Sequence, residues 1–434
     1  MFDIDLTYDE IPSDYKEKNI TIFKRTAVRG IIFDKDKLLL VKTKHGDYKF
    51  PGGGVNKGET LEQALLREIA EETGYADVSV CCKFGHAFEQ NIDWFVDNAY
   101  FQMNSYYFIC RLNSDLRCDT HQEDYEKDLG YEAVKIDLKT AYYDNQKLHI
   151  KALDGRSKVD STKWPRELDG LDREFNVMKA LIDCPCAIII PLVYQCGQII
   201  KNADRTSLNI DAKGGHANFV TDYDAKIQKI LKSELSILFP DTAFVGEEED
   251  IHASIENGYA FIVDPIDGTS NFMKDYHMSC ISIGMTYNAK PYAAVIYNPY
   301  LEEFYYSVKD KGAFCNSQKL SVSKEKIDRA IVLFGTAPYY EEFTDVTFDL
   351  AKKYLKQAID LRRSGSAALD LCAIAAGRAE IYFECKLCPW DFAAGALLVA
   401  EAGGIVTDMD GNELSFDRQC SILASNGVAK LENC

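Results

Sequence analysis

Residues 264–272 read Asp264-Pro265-Ile266-Asp267-Gly268-Thr269-Ser270-Asn271-Phe272, directly after the apolar run Phe261-Ile262-Val263. Apolar residues ending in a carboxylate read as a buried strand whose tip displays a charge from a rigid scaffold. Pro265 stiffens the turn, Asp267 returns to the same side three residues later, and Gly268-Thr269 offers backbone N–H groups at a helix start, suited to a phosphate. Two more acids are placed alike. Glu247 follows an apolar strand over 242–246, and Asp391, after Trp390, opens an apolar helix over 392–402 that ends at Gly403-Gly404. Acids delivered from three separate strand or helix ends can enclose two divalent cations about 3.5–4 Å apart, the two-metal arrangement for phosphoryl transfer. Turn-forming Asp-Gly segments and a helix-capping Asp would explain each motif alone; their occurrence together and in order points to one site.

A second acidic cluster lies upstream, in residues 53–75. Segments 27–33 and 38–41 flank the turn Asp34-Lys35-Asp36-Lys37 as a hairpin, and Lys49-Phe50-Pro51-Gly52-Gly53-Gly54 then breaks regular structure. From about Thr60 the spacing of Leu61, Leu65 and Ile69 predicts a helix with one buried stripe. Glu68, Glu71 and Glu72 stand at i, i+3 and i+4, so their carboxylates share a face and repel one another unless a cation sits between them. Oxygen-only ligands of high charge select Mg²⁺ or Mn²⁺. Arg67 can pair with Glu59 and fix the loop onto the helix.

A chain of 434 residues exceeds what one core usually holds, so two domains of unequal size are expected. With 47% hydrophobic and 27% charged residues there is ample material for both cores. The net charge of −19 argues against nucleic-acid binding, whereas a small phosphorylated metabolite stays compatible once cations invert the local field. The acidic start Met1-Phe2-Asp3-Ile4-Asp5-Leu6 lacks signal-peptide features, and the apolar run 186–194, interrupted by Pro191, falls far short of the roughly 20 residues that span a bilayer. A cytoplasmic protein with no membrane partner is the expectation, its 14 cysteines reduced thiols. Neither Cys184/Cys186 nor Cys385/Cys388 has the partners of a structural zinc site. Further expectations are strands over 106–112 and 131–136, loop over most of 139–172, a helix over 172–182 closing the first domain, helices over 186–203 and 224–239, and a flexible loop at Ala212-Lys213-Gly214-Gly215-His216.

Gly53, Glu59, Arg67, Glu68, Ile69, Glu71, Glu72, Gly74 and Tyr75 together resemble the Nudix box, departing only at Tyr75, where that family more often has an aliphatic residue. The resemblance implies a Nudix α/β/α sandwich over residues 20–182, behind an extension over 1–19, that hydrolyses a nucleoside diphosphate linked to another moiety. Glu68, Glu71 and Glu72 would bind the metals, with Glu59 and the Gly53 carbonyl assisting, and Glu72 would take part in catalysis. The base stays open: a loop acid near Glu123 or Glu126 is one candidate, although a solvated loop carboxylate is the plainer reading of either.

Gly246-Glu247-Glu248, the run 264–272 and Trp390-Asp391-Phe392-Ala393-Ala394-Gly395 resemble the motifs of the inositol monophosphatase family. Val220-Thr221-Asp222-Tyr223-Asp224, Gly365-Ser366-Ala367-Ala368 and Tyr382-Phe383-Glu384 fall where that family has matching elements. The likeness covers 183–434 and implies a layered αβαβα sugar-phosphatase domain, so the whole chain combines α/β and α+β architecture. It assigns Glu247, Asp264 and the Ile266 carbonyl to one Mg²⁺, and Asp264, Asp267 and Asp391 to a second. It also implies a water activated with help from Thr269 and Asp224, phosphate cradled by Gly268 and Thr269, alcohol facing Ala367 and Glu384, and Lys213 closing over the site. Lithium sensitivity and a homodimer through this domain are further implications. Bisphosphate nucleotidases of this family usually carry Lys where this chain has Ser270, which favours a simple monophosphate.

The expected function is therefore a bifunctional Mg²⁺-dependent hydrolase, cleaving a pyrophosphate in the first domain and a monoester in the second. Alternatives are a phosphatase whose Nudix domain only senses a nucleotide, a phosphatase acting on a sugar bisphosphate or nucleotide 3′-phosphate, and a scaffold without activity. Substrate-choosing loops vary freely around such metal cores, so neither substrate is legible.

Overall fold

The computed structural model describes residues 1–8, 10–16, 18–93, 96–156, 170–208, 210–214, 218–249 and 253–431. The chain divides into two units, Met1–Ala187 and Ile188–Cys434. Among the described residues no single helix is long and apolar enough to cross a membrane.

The N-terminal unit is built on a seven-stranded mixed sheet in the order Phe2–Thr7, Val78–Ile92, Ala99–Leu112, Thr21–Asp34, Lys37–Lys42 and Tyr48–Lys49, with Glu132–Ile136 also pairing Lys37–Lys42. Because side chains alternate across a strand, its two faces are chemically distinct. Val28, Ile32, Leu39 and Phe108 bury one face against Ala64, Leu65 and Ile69 of the helix Leu61–Thr73. On the other face the helix Leu171–Ile182 is bound by charge. Arg173, 3% exposed, pairs with Glu89 and with Glu174, while Glu174 accepts a hydrogen bond from Phe50 N–H at 3.2 Å. That bond anchors the chain just ahead of Pro51-Gly52-Gly53.

Two expectations fail here. Residues 1–19, read as an extension, supply the edge strand Phe2–Thr7, parallel to Val78–Ile92, with the Phe2 ring 5.2 Å from that of Tyr107. Residues 139–156, read as loop, belong to the helix Leu138–Arg156. Its buried positions include Leu138, Ala141 and Asn145, an amphipathic spacing filled by weakly apolar or polar residues. Asn145 is buried because it joins the backbone of Tyr48, accepting from its N–H (2.9 Å) and donating to its carbonyl (2.8 Å). A polar residue satisfied by tertiary contact leaves no apolar stripe to read.

Beside a short two-stranded sheet, the C-terminal unit has two large ones. One runs Thr242–Gly246, Tyr259–Asp267, Cys280–Tyr287, Lys290–Asn298, Glu303–Val308, Ala313–Cys315 and Gln318–Lys319; the other runs Asp360–Arg362, Ile331–Phe334, Ile381–Leu387, Cys420–Ser425 and Ile405–Thr407. Helices Ala367–Ala375 and Pro389–Glu401, rich in Ala and Leu, share one core with residues of both sheets, among them Ile262, Ala294, Ile422 and Ala424. Helix Asp222–Leu238 packs on the first sheet, and Thr344–Leu355 covers Val332 and Phe383 of the second. These are the expected αβαβα layers. The expected loop at 212–216 is partly a hairpin, Ile210–Gly214 with Asn218–Thr221, short enough that no alternation stands out; Gly215 and His216 lie outside the described residues.

Gly284 lets the helix bearing Asp391 lie close on the sheet: a Cβ there would sit 2.9 Å from Ala393 Cβ and 3.1 Å from Ala394 N. Gly284→Val should destabilise the C-terminal unit by about 1–3 kcal/mol through overpacking. The check is its urea unfolding midpoint; an unchanged midpoint would show that the helix yields freely.

Candidate functional site

In the C-terminal unit three carboxylates from two elements meet. Asp264 and Asp267 lie at the end of the strand Tyr259–Asp267, 2% and 7% exposed, and Asp391 is in the first turn of Pro389–Glu401. One oxygen from each lies within 4.8 Å of the others. Each is aimed by backbone donors. Asp264 accepts from Ile266 N–H (2.9 Å), Asp391 from Cys388 N–H (2.7 Å), and Asp267 from Ala368 N–H (2.8 Å) and the Ser366 hydroxyl. Glu247 joins them because its N–H continues the parallel pairing to Val263 O at 3.1 Å, which sets it on the strand beside Asp264.

Burial and mutual repulsion dominate the electrostatics. Burial, then Glu247, Asp267 and Asp391, push the Asp264 carboxyl well above its ordinary range. Burial, then Asp267 and Glu247, do the same to Asp391. Asp267 rises only to about 6, because Ser366, Ala368, Ala367 and Cys280 donate to its charged form. Several buried acids offering only oxygen form the donor set that a hard divalent cation requires, so the residues fit Mg²⁺.

Beside them Asp224, fully buried, accepts from Thr221 N–H (2.8 Å) and the Thr221 hydroxyl (2.5 Å). The Thr269 hydroxyl lies 3.3 Å from Asp224 Oδ1 and 3.1 Å from the Ile266 carbonyl, so its one proton can serve either. Gly268 precedes the five-residue helix Thr269–Met273 as its cap, and Ala367 opens the helix whose N–H groups hold Asp267. Glu384 is buried with Oε1 accepting from Ala337 N–H (2.8 Å) and Oε2 from the Tyr382 hydroxyl (2.6 Å). Lys213 lies in the strand Ile210–Gly214, its side chain outside the described residues.

The cysteine pair near Asp391 is divided between two roles. Cys385 contacts the Thr347 hydroxyl at 3.3 Å, and Cys388 caps the Asp391 helix, its sulfur accepting from Gln419 at 3.1 Å.

The N-terminal acids are arranged differently. Thr60 caps Leu61–Thr73 through a reciprocal pair with Gln63. Arg67 donates to both Glu59 oxygens (2.8 and 2.9 Å), to Glu68 (2.8 Å), to Glu71 (3.1 Å) and to the Gly54 carbonyl (3.1 Å). This draws Glu59 down to about 2, while burial raises Glu68. Gly53 lies directly beneath Glu68, where a Cβ would sit 2.4 Å from the carboxylate oxygen and displace that side chain; the Gly53 carbonyl accepts from Val28 N–H at 2.9 Å. Glu72, 4% exposed, instead accepts from Gly52 N–H at 2.8 Å and is pushed well up by burial, against the pull of Arg29. Among the described residues Glu68, Glu71 and Glu72 thus do not form the compact group that the three aspartates do.

Several positioning groups were not legible in the sequence. Arg29 donates to the Gly52 carbonyl at 2.6 Å and so holds the loop under Glu72. Glu126, read more plainly as a solvated carboxylate, is 3% exposed, accepts from Glu123 N–H (2.7 Å) and the Tyr125 hydroxyl (2.9 Å), and adds to the rise of Glu72. Ser366 and Cys280 contact Asp267 from elements distant in sequence. A Glu three residues into a short helix could have flagged the Glu123–Glu126 capping box, and Ser366 lies in the stretch Gly365-Ser366-Ala367-Ala368 already singled out; nothing in the sequence marks Arg29 or Cys280.

Comparison with known proteins defines the class. The inositol monophosphatase family profile matches residues 183–433, more than half of the chain, and the NUDIX domain profile matches residues 23–141. Inositol monophosphatase 2 of Solanum lycopersicum is 35% identical over 250 residues, 56% of this chain and 94% of that protein. Phosphatase IMPL1, chloroplastic, of Arabidopsis thaliana is 35% identical over 309 residues, 69% of this chain and 80% of the relative. The crystal structure of extragenic suppressor protein suhB from Bartonella henselae superposes with a TM-score of 0.52 at 32% identity, covering 55% of this chain and 92% of that one. Similarity of this breadth places the molecule among phosphohydrolases. The chain belongs to the inositol monophosphatase family and carries a Nudix domain ahead of its phosphatase domain.

The raised aspartates have a measurable consequence. In cation-free protein they bind protons more tightly folded than unfolded, where an Asp titrates at about 3.9. Their contribution to stability is therefore fully present below about pH 4 and is lost as pH rises through the raised folded values, about 6 for Asp267. The C-terminal unit treated with EDTA should melt lower at about pH 8 than at about pH 5, and Mg²⁺ should recover the loss at the higher pH. A melting temperature indifferent to Mg²⁺ at about pH 8 would show that the cluster is not a cation site.

Proposed function

We propose that this chain is a bifunctional Mg²⁺-dependent hydrolase, its C-terminal domain cleaving a small phosphate monoester of the inositol monophosphate type and its Nudix domain a nucleoside diphosphate-linked pyrophosphate. The observation that carries the reading is the convergence of Asp264, Asp267 and Asp391 from two structural elements, with oxygens within 4.8 Å and a mutual repulsion that a bound divalent cation would relieve while leaving them ionised. Phosphatase names among the relatives support the chemistry of this domain.

Glu247, Asp264, the Ile266 carbonyl, Asp267 and Asp391 would hold the cations. When bound, these would polarise the phosphate, lower the pKa of a water and stabilise the departing alkoxide. The protein's own part is to move the proton and orient the ester. Thr269 Oγ1 is set to accept a proton from water while passing its own to Asp224, 3.3 Å away. Asp224 is a prepared acceptor, oriented by two bonds from Thr221. The backbone of Gly268 and Thr269 is assigned to the phosphate and Ala367 to the alcohol. Glu384 acts on the alcohol side through the segment it holds at Ala337. In the Nudix domain Glu68, Glu71 and Glu72 would hold metal with Glu59 and the Gly53 carbonyl beside them, and Arg67 keeps Glu68 and Glu71 ionised for it.

The first reaction yields monophosphates, the substrate class of the second. A homodimer through the phosphatase domain, lithium sensitivity and a cytoplasmic location belong to the same proposal. The test uses full-length protein with Mg²⁺ and a panel of nucleoside diphosphate compounds and monoesters. Asp267→Asn should lower monoester hydrolysis by about 100-fold or more and spare pyrophosphate cleavage, while Glu72→Gln should do the reverse, given that even outer-shell partners of a metal cost about 10–100-fold. Loss of the same single activity in both variants, or of neither, would refute the two-site reading.

A further inference from the structure

Thr269 and Asp224 meet from two different helices, Thr269–Met273 and Asp222–Leu238, with Thr269 Oγ1 3.3 Å from Asp224 Oδ1. That separation is just past the usual reach of about 2.6–3.2 Å for a proton transfer, so a small shift of either helix parts the pair. The helix bearing Thr269 has five residues, too few to keep its place by its own hydrogen bonds. Its position must come from what it packs against. Of its residues Phe272 is the buried one, at 0% exposure.

A closed circuit of contacts surrounds Phe272. Arg205 Nε donates to the Phe272 carbonyl at 3.1 Å, and the guanidinium carbon lies 5.0 Å from the centre of the Phe272 ring. The ring of Tyr223, the residue before Asp224, lies 5.6 Å from that of Phe272. The Tyr223 hydroxyl in turn accepts from the N–H of Asp204, the residue before Arg205, at 3.2 Å. Arg205 and Tyr223 thus both engage Phe272 and are joined to each other through Asp204. Arg205 is itself fastened to the frame of the unit: Nη2 donates to the Ile200 carbonyl in the helix Pro185–Lys201 (3.2 Å) and to the Tyr300 hydroxyl (2.9 Å), and Nη1 to the Ala203 carbonyl (3.4 Å). Its pair with Asp275, at 3.1 Å, is of less weight, because that acid is 56% exposed and the arginine side chain 17%. Three carbonyls and a hydroxyl reached at once require the planar fork of a guanidinium; an ammonium donates from a single point.

We propose that Arg205 is a positioning residue of the phosphatase site: by gripping Phe272, with Tyr223 on the same ring, it fixes the short helix so that the Thr269 hydroxyl stays within reach of Asp224. The inference rests on the phosphatase reading above and adds to it a residue that acts on the proton transfer only through the helix it holds.

The experiment is a double-mutant cycle on the full-length protein with Mg²⁺, measuring kcat on inositol 1-phosphate and glycerol 2-phosphate for wild type, Arg205→Ala, Thr269→Ala and the two combined. Arg205→Ala should lower kcat by about tenfold alone and by less than about twofold where Thr269 is already alanine, since residues that act as a unit do not add. Arg205→Lys, which keeps the charge and loses the fork, should stay within about threefold of Arg205→Ala. Equal losses in both backgrounds would reduce Arg205 to general stability, and wild-type kcat in Arg205→Lys would assign its role to charge; either result overturns the assignment and leaves the phosphatase reading standing. Should melting with Mg²⁺ show Arg205→Ala unfolded, Phe272→Leu, which removes the gripped ring and keeps the carbonyl, carries the same cycle: a loss of about threefold alone and none beside Thr269→Ala supports the assignment, and an equal loss in both backgrounds overturns it. A wild type inert on both esters would overturn the phosphatase reading and the assignment with it.

Discussion

Repulsion between buried carboxylates is the constraint on which the C-terminal unit is organised. Asp264, Asp267 and Asp391 gain nothing from one another, and burial alone would drive each to keep its proton. The fold holds them together because each side chain is engaged by a nearby backbone N–H, and because the elements carrying them are locked by an apolar core. The Ala-rich helices Ala367–Ala375 and Pro389–Glu401 serve this purpose, since small side chains allow close approach to the sheet. Stability stored in the core is thus spent on a site that would fly apart in an isolated peptide.

The N-terminal unit meets the same problem in another way. Arg67 gathers Glu59, Glu68 and Glu71 by direct ion pairing, and Glu72 is satisfied separately by Gly52 N–H. A guanidinium with five donors can hydrogen-bond to three carboxylates at once, although its single charge offsets only one of theirs. One domain therefore orients its acids by backbone donors and the other by a shared guanidinium.

Much of this was legible before any fold was known, and the reason is local. Carboxylates at i, i+3 and i+4 share one side of a helix by geometry alone, which lets Arg67 reach Glu68 and Glu71 while Glu72 turns to Gly52 N–H, and the capping pair Thr60–Gln63 lies within four residues. The strand ending at Asp264 announces itself by three apolar residues. The helix Leu138–Arg156 did not, because its inward face includes Ala141 and Asn145, and an asparagine becomes a core residue only when the edge strand at Tyr48 is there to receive it. The strand Phe2–Thr7 likewise has alternating Phe2, Ile4 and Leu6, yet its place depends on Val78–Ile92, some eighty residues away.

The sequence by itself determined which residues can hold charge, which elements carry them, and that two separate acidic sets exist, since each of these follows from residue type and short-range period. Only the tertiary structure decided that Glu384 is engaged by Ala337, that Ser366 attends Asp267, and that Arg29 holds the Gly52 carbonyl beside Glu72. Each of those facts is a contact between segments far apart in the chain, and such contacts come into being only when the cores close.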